Sequence, residues 1–229
     1  MNLELGIMRD DLDNLKLLES FVLVITGIRR SGKSTFLKQI LKQEYKKPLF
    51  LNLEDPRLSG FELSDFVRME ELIKDRSIDV MAFDEIQNVE EWETYIRTKQ
   101  DEGQMVIITG SNASLLSSEF GSKLTGRYLS KEIFPFSFNE FLSFTKSNPS
   151  AKAAGDYMEL GGFPEFLKYR EDEILYRLMD DVIYRDIAVR YGIKQHKVLR
   201  QLAIYLVSNS GKFYSLNNLR KIFGVGSVR

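Results

Sequence analysis

Eight consecutive residues, Gly27-Ile28-Arg29-Arg30-Ser31-Gly32-Lys33-Ser34, satisfy the spacing G-x-x-x-x-G-K-[ST] without a mismatch. Glycines at the first and sixth positions let a backbone curl until its N–H groups converge on a phosphate. A helix that starts at the last of these residues adds the positive end of its dipole to that attraction. Lys33 is then the residue that reaches the β- and γ-phosphates, and Ser34, followed by Thr35, is the hydroxyl that ligates Mg²⁺. Arg29 and Arg30 stand at free positions, where the backbone can cradle phosphate whatever the side chain does. Their guanidinium groups either contact the nucleotide or lie in solvent.

A second chemical signal follows at VMAFDE, an apolar run that ends in Asp84-Glu85. At the carboxyl end of a strand Asp84 can hold a metal-bound water, and Glu85 can polarise a water attacking the γ-phosphate. Hydrolysis therefore fits better than transfer to a small acceptor. ITGSN ends a further strand with Ser111 and Asn112, which either position that water or simply cap the next helix. In LTGRYL, Arg127 precedes another strand and either stabilises transition-state charge, on a neighbouring subunit's nucleotide for instance, or makes a surface ion pair. No N-K-x-D-like stretch reads guanine, so ATP is expected rather than GTP.

These residues need strands to carry them, and the sequence supplies five candidates: residues 21–26, 48–53, 78–85, 104–111 and 127–134. The first is a β-branched run closed by Gly27, the pattern of a buried parallel strand. Between the strands, residues 33–45, 62–75 and EEWETYIRTKQ carry apolar positions at helical spacing. Alternation of this kind predicts an α/β fold, an open parallel five-stranded sheet with helices on both faces. Ser137 and Glu140 form a capping-box pattern ahead of Phe141 and Leu142. TKSNPSAKAAG then reads as a polar linker. Beyond it the pattern is helical over 174–192, 198–211 and 214–224. The expected division is a core over 1–145, an all-α lid over 146–193 and a third segment over 194–229.

Composition excludes other chemistry. The chain has 229 residues, no cysteine and one histidine, His196, which removes disulfides, thiolate metal sites and multi-histidine centres. Neither an N-terminal secretory pattern nor a ~20-residue apolar run is found, so a soluble, cytoplasmic protein without a membrane partner is expected. The net charge of −1 conceals an asymmetry: residues 187–229 hold eight Lys or Arg and no acid, against 24 basic and 33 acidic side chains before them. Such a basic end either meets a polyanion such as DNA or is a solvated helical face.

Taken together, GIRRSGKST, FDEIQNVEEWE, ITGSNASLL, LTGRYLSKEIFPFSFNEFL and YMELGGFPEFL resemble the AAA+ ATPases of bacteria and archaea. The likeness is to the group related to STAND signalling ATPases, and it spans roughly residues 9 to 229. It implies that Gly162, Phe163 and Pro164 lie in a helical lid packed on the nucleotide, and that Arg127 holds the arginine-finger position, acting either within its own chain or on a neighbour's nucleotide in a homo-oligomer. The C-terminal part resembles the start of a winged helix that stops where a recognition helix is expected. Two functions fit: an ATPase whose hydrolysis drives a conformational switch, or an ATP-responsive DNA-binding module with little turnover.

Overall fold

Side chains of the central strands alternate between two faces, and helices cover both. In the computed structural model, which describes residues 5–13, 15–110, 124, 126–189 and 191–224, the strands are β1 (Val22–Thr26), β2 (Pro48–Asn52), β3 (Val80–Asp84), β4 (Val106–Thr109) and β5 (Tyr128–Glu132). They form one five-stranded sheet in the order β2-β3-β4-β1-β5, parallel throughout. Leu23 pairs with Ile107 and Asn52 with Asp84, so the carboxyl ends of β1, β2, β3 and β4 share one edge.

Helix α1 (Lys33–Glu44) lays Phe36, Leu37, Ile40 and Leu41 on the face formed by Leu23, Ile25, Val80, Ala82 and Ile107. Helices α2 (Leu63–Ile73) and α3 (Trp92–Asp101) cover the other face, where Val22, Val24, Met81, Phe83, Val106 and Ile108 meet Phe66, Trp92, Tyr95 and Ile96. Phe66 stacks on Tyr95 with ring centroids 4.2 Å apart and meets Phe83 edge-on at 5.3 Å. Burial of one such aromatic contributes about 1.5–3 kcal/mol, so the strands that carry the chemistry rest on a stiff base.

After β5 the chain adds α4 (Phe138–Thr145), α5 (Ala151–Leu160) and α6 (Pro164–Tyr169). The capping box expected at α4 is present: Ser137 Oγ accepts from the Glu140 N–H and Glu140 Oε2 from the Ser137 N–H. The linker expectation is corrected at α5. Ser150 Oγ accepts the Ala153 N–H at 3.1 Å, and alanine-rich sequence then carries a helix to Leu160. Its apolar stripe is sparse, with Ala153 buried and Tyr157 and Leu160 packed near Phe136, Phe141 and Leu167, which is why periodicity did not show it. Gly162 is fixed by sterics: a Cβ there would stand 2.3 Å from the Phe136 carbonyl oxygen, while the Gly162 carbonyl accepts the Phe136 N–H at 2.8 Å.

Two compact units result, Met1–Arg170 and Glu171–Arg229. Helices α4 to α6 belong to the unit that holds the sheet. In the second unit the helical run expected over 174–192 is α7 (Asp172–Asp181) continued by a π-helical segment (Val182–Val189). Helix α8 (His196–Ser208) and α9 (Leu216–Phe223) follow, joined by an edge-on Tyr205–Phe223 contact at 5.6 Å. Among the described residues no helix is long and apolar enough to cross a membrane.

Candidate nucleotide site

Between β1 and α1 the Gly27–Ser34 segment forms a tight loop. Gly27 has φ 149°, and a Cβ on it would lie 2.3 Å from the Ile133 carbonyl oxygen and 2.9 Å from Ser31 Oγ. Gly32 caps α1 in a left-handed conformation at φ 100°. Both motif glycines are thus required by backbone geometry. Lys33 is 4% exposed, and its ammonium donates to the Gly27 and Ile28 carbonyls at 3.2 and 3.3 Å. It also lies 3.7 Å from Glu85 Oε1, so loop and strand end meet across one charge pair. The Ser31 hydroxyl is buried in the loop with no hydrogen-bond partner among the described residues. Thr35 stands in the first turn of α1, its methyl facing Gly6 of the N-terminal segment.

Asp84 ends β3 and is buried. Its carboxylate accepts from the Thr109 hydroxyl at 2.5 Å and from the Ser34 hydroxyl. Burial raises its pKa above the ordinary carboxylate value, against the two hydroxyls, which lower it; Glu85 adds to the rise and Lys38 opposes it. A Ser hydroxyl beside a lone carboxylate is the hard-oxygen pair that Mg²⁺ takes when phosphate oxygens and waters complete its shell. Among the described residues no group of three His, Asp or Glu side chains could hold a metal ion.

Glu85 follows in a left-handed conformation (φ 55°, ψ 49°) that few non-glycine residues adopt. Its N–H donates to Thr109 Oγ1 at 3.0 Å, and its Oε2 accepts from Gln87 Nε2 at 2.5 Å. Strain of this kind, held by surrounding hydrogen bonds, collects at functional sites.

The two loop arginines are both engaged by carboxylates. Arg29 approaches Glu54 at 3.9 Å, and Arg30, itself left-handed at φ 62°, pairs with Glu165 at 2.8 Å. Glu165 is the residue after Pro164, which opens α6, so the loop touches the Gly-Phe-Pro segment through this pair. Arg127 is not brought to the site. It precedes β5 beside Val22, at the opposite sheet edge and roughly 13 Å of strand from the loop. There it pairs with Asp101 at 2.7 Å, both side chains about half exposed. Ser111 and Asn112 lie outside the described residues.

Three residues of this neighbourhood escape sequence reading. Thr109 joins β3 to β4 two positions before Ser111, and only the register of the two strands brings its hydroxyl to Asp84. Gln87 stands two residues from Glu85 and looks like an ordinary turn residue. Arg9, remote in sequence from every motif, donates to the loop carbonyl of Ser31 at 2.8 Å.

A parallel 2-3-4-1-5 sheet with a phosphate loop after β1 and paired acids after β3 defines a nucleotide-binding domain of the AAA+-like ATPase class. The AAA_14 family model, described as an AAA domain, matches residues 19–142, and the chain belongs to this family. It is similar to the uncharacterized protein MJ1544 of Methanocaldococcus jannaschii, at 35% identity over 231 residues, 91% of this chain and 52% of that one. An uncharacterized protein of Haemophilus influenzae is 34% identical over 209 residues, 84% of this chain and 52% of that one. The chain thus spans about half the length of the curated relatives it matches. Among solved structures it is similar to the Walker-type ATPase PABY2304 of Pyrococcus abyssi, with a TM-score of 0.46, 16% identity, and coverage of 87% of this chain and 83% of that one.

Proposed function

We propose that this chain binds ATP with Mg²⁺ and hydrolyses it, and that turnover drives a switch between the sheet edge and the helices that follow β5. One observation carries the reading: Thr109 joins the Asp84 carboxylate to the Glu85 backbone, while Lys33 stands 3.7 Å from the Glu85 carboxylate. A passive phosphate binder needs the lysine but not a strained carboxylate beside it.

The loop from Gly27 to Thr35 holds the phosphates through its N–H groups, with Lys33 supplying charge to the β- and γ-phosphates. Ser34 and Asp84 would hold Mg²⁺, which when bound would supply positive charge to the phosphate oxygens. Glu85 accepts a proton from the attacking water as its oxygen bonds the γ-phosphorus and the bond to ADP breaks, giving ADP and inorganic phosphate. Ser111 or Asn112, next in sequence after Gly110, is assigned the positioning of that water. Pro164, the first residue of α6, would pack on the bound nucleotide, and the exposed Arg30–Glu165 pair would let α6 follow the loop. Arg127, too far away in its own chain, acts on a neighbour's nucleotide in a homo-oligomer.

The test is ATP turnover with Mg²⁺ for the wild type and Glu85→Gln. Retained binding with turnover lowered at least a hundredfold is the expected result; wild-type protein that binds ATP without turnover sinks the enzyme reading. In that event a nucleotide-responsive DNA module leads, favoured by the acid-free stretch after Asp186. Its signature is affinity for duplex DNA that falls steeply with salt.

A further inference from the structure

Arg9 is only 4% exposed, and its guanidinium bonds three separate parts of the fold. Nε donates to Glu140 Oε1 at 2.7 Å, Nη1 to the Ser31 carbonyl at 2.8 Å, and Nη2 to the Phe134 carbonyl at 2.6 Å. The cation also lies 5.2 Å from the centre of the Phe136 ring. Its own backbone is held in turn: the Arg9 N–H donates to Gln39 Oε1 at 3.3 Å, and Gln39 Nε2 donates to the carbonyls of Leu5 and Ile7. Glu140 is as buried as Arg9; besides Arg9 it accepts the Asp10 N–H through Oε1 and caps α4 through Oε2.

Breaking a buried ion pair is costly, yet forming one contributes little net stability. Stability alone therefore gives weak reason for this arrangement, and its geometry suggests another. In a trans peptide the carbonyl and the next N–H point in opposite directions. A guanidinium that holds the Ser31 carbonyl therefore turns the Gly32 N–H to the opposite side of that peptide, away from Arg9. The same contact bears on the second motif glycine, because a Cβ on Gly32 would stand 3.0 Å from Arg9 Nη1.

We propose that Arg9 is a positioning residue for the phosphate loop: anchored by Glu140, it fixes the Ser31–Gly32 peptide with its N–H toward the β-phosphate of a bound nucleoside di- or triphosphate. The proposal rests on the nucleotide reading above. Lysine at position 9 keeps the charge and can pair with Glu140. It has no planar fork to span the Ser31 and Phe134 carbonyls as well.

The experiment compares wild type, Arg9→Lys and Lys33→Ala in the full chain, by thermal melting, by ADP and AMP affinity, and by hydrogen exchange of residues 31–34. Arg9→Lys is expected to melt cooperatively, lose at least tenfold in ADP affinity but under threefold in AMP affinity, and exchange the Gly32 amide faster. A folded Arg9→Lys with ADP affinity within twofold of wild type and unchanged exchange overturns the proposal, as does an equal loss for ADP and AMP. Should Arg9→Lys not fold, Glu140→Gln takes its place: a threefold or larger loss of ADP affinity supports the brace, and none refutes it. If the wild type binds no ADP and Lys33→Ala changes nothing, the nucleotide reading itself has failed. The exchange of Gly32 then still decides whether Arg9 braces the loop.

Discussion

The Thr109 hydroxyl donates to Asp84 Oδ1 at 2.5 Å and accepts the N–H of the next residue, Glu85, at 3.0 Å. One fully buried oxygen on β4 thus sets both acids that end β3. Thr109→Val keeps the shape and removes the oxygen. It leaves the Glu85 N–H unpaired in a strained turn and takes a donor from a buried carboxylate. A stability loss of about 1–3 kcal/mol is expected from the orphaned groups. ATP turnover should fall further than ATP affinity, since Lys33 and the loop are untouched. Chemical denaturation and steady-state kinetics on the same preparation check both; equal turnover in the variant would show that the hydroxyl serves folding only.

Asp84 gives the protein a pH signature. Its pKa is raised by burial above the ordinary 3.8, so between those two values the folded state binds more protons than the unfolded one. Stability attributable to this group therefore falls as pH rises through that interval. Below the ordinary value both states are protonated and the penalty is absent; above the raised value it is present in full. Asp84→Asn removes the buried charge and retains a carbonyl to accept from Thr109 and Ser34. The variant should melt higher than wild type at pH 7, with the difference shrinking toward pH 4, and should lose Mg²⁺-dependent turnover. A lower melting temperature at pH 7 would mean the carboxylate is held favourably.

Gly162 is constrained by contact alone. With a Cβ 2.3 Å from the Phe136 carbonyl oxygen and 2.9 Å from its nitrogen, Gly162→Ala must push α6 from the end of the sheet. The nearest atoms are backbone and cannot swing aside, so a loss of about 1–3 kcal/mol is expected. Gly155, in the middle of α5, has nothing within 4 Å of an added Cβ. Gly155→Ala should therefore stabilise by roughly 0.5–1 kcal/mol. Urea midpoints of the two variants test the contrast, and similar shifts for both would contradict the packing.

What the sequence disclosed and what it hid follow from the range of the forces involved. Val22, Val24, Leu23 and Ile25 alternate between two cores, and an apolar run that ends in Gly27 records that locally. The loop and the two acids were legible because phosphate chemistry imposes residue types at short fixed spacing. Helix α5 was not, since its cap is a single serine and its buried face little more than Ala153. Arg9 was beyond reach for a different reason. Its partners Ser31, Phe134 and Glu140 lie 22, 125 and 131 positions away, and only the folded chain brings them together. Thr109 was a matter of register: its role depends on β4 ending level with β3, which pairing shows and sequence does not.

Arg127 supplies the test of assembly. In its own chain it lies at the amino-terminal edge of the sheet, where it pairs with Asp101 on the surface and cannot reach the loop. An exposed pair of this kind contributes about 0–1 kcal/mol, so Arg127→Ala should fold and melt nearly as wild type does. If the residue serves a neighbour's nucleotide, that variant binds ATP but turns it over at least tenfold more slowly. Specific activity of the wild type should also rise with protein concentration. Mixing decides the matter: Arg127→Ala keeps an intact loop and Lys33→Ala keeps an intact arginine. Two nearly inactive preparations should therefore regain turnover when combined, because some interfaces pair a good loop with a good arginine. Arg127→Ala with wild-type turnover would leave only the surface ion pair, and loss of turnover that mixing does not restore would exclude action across a subunit boundary.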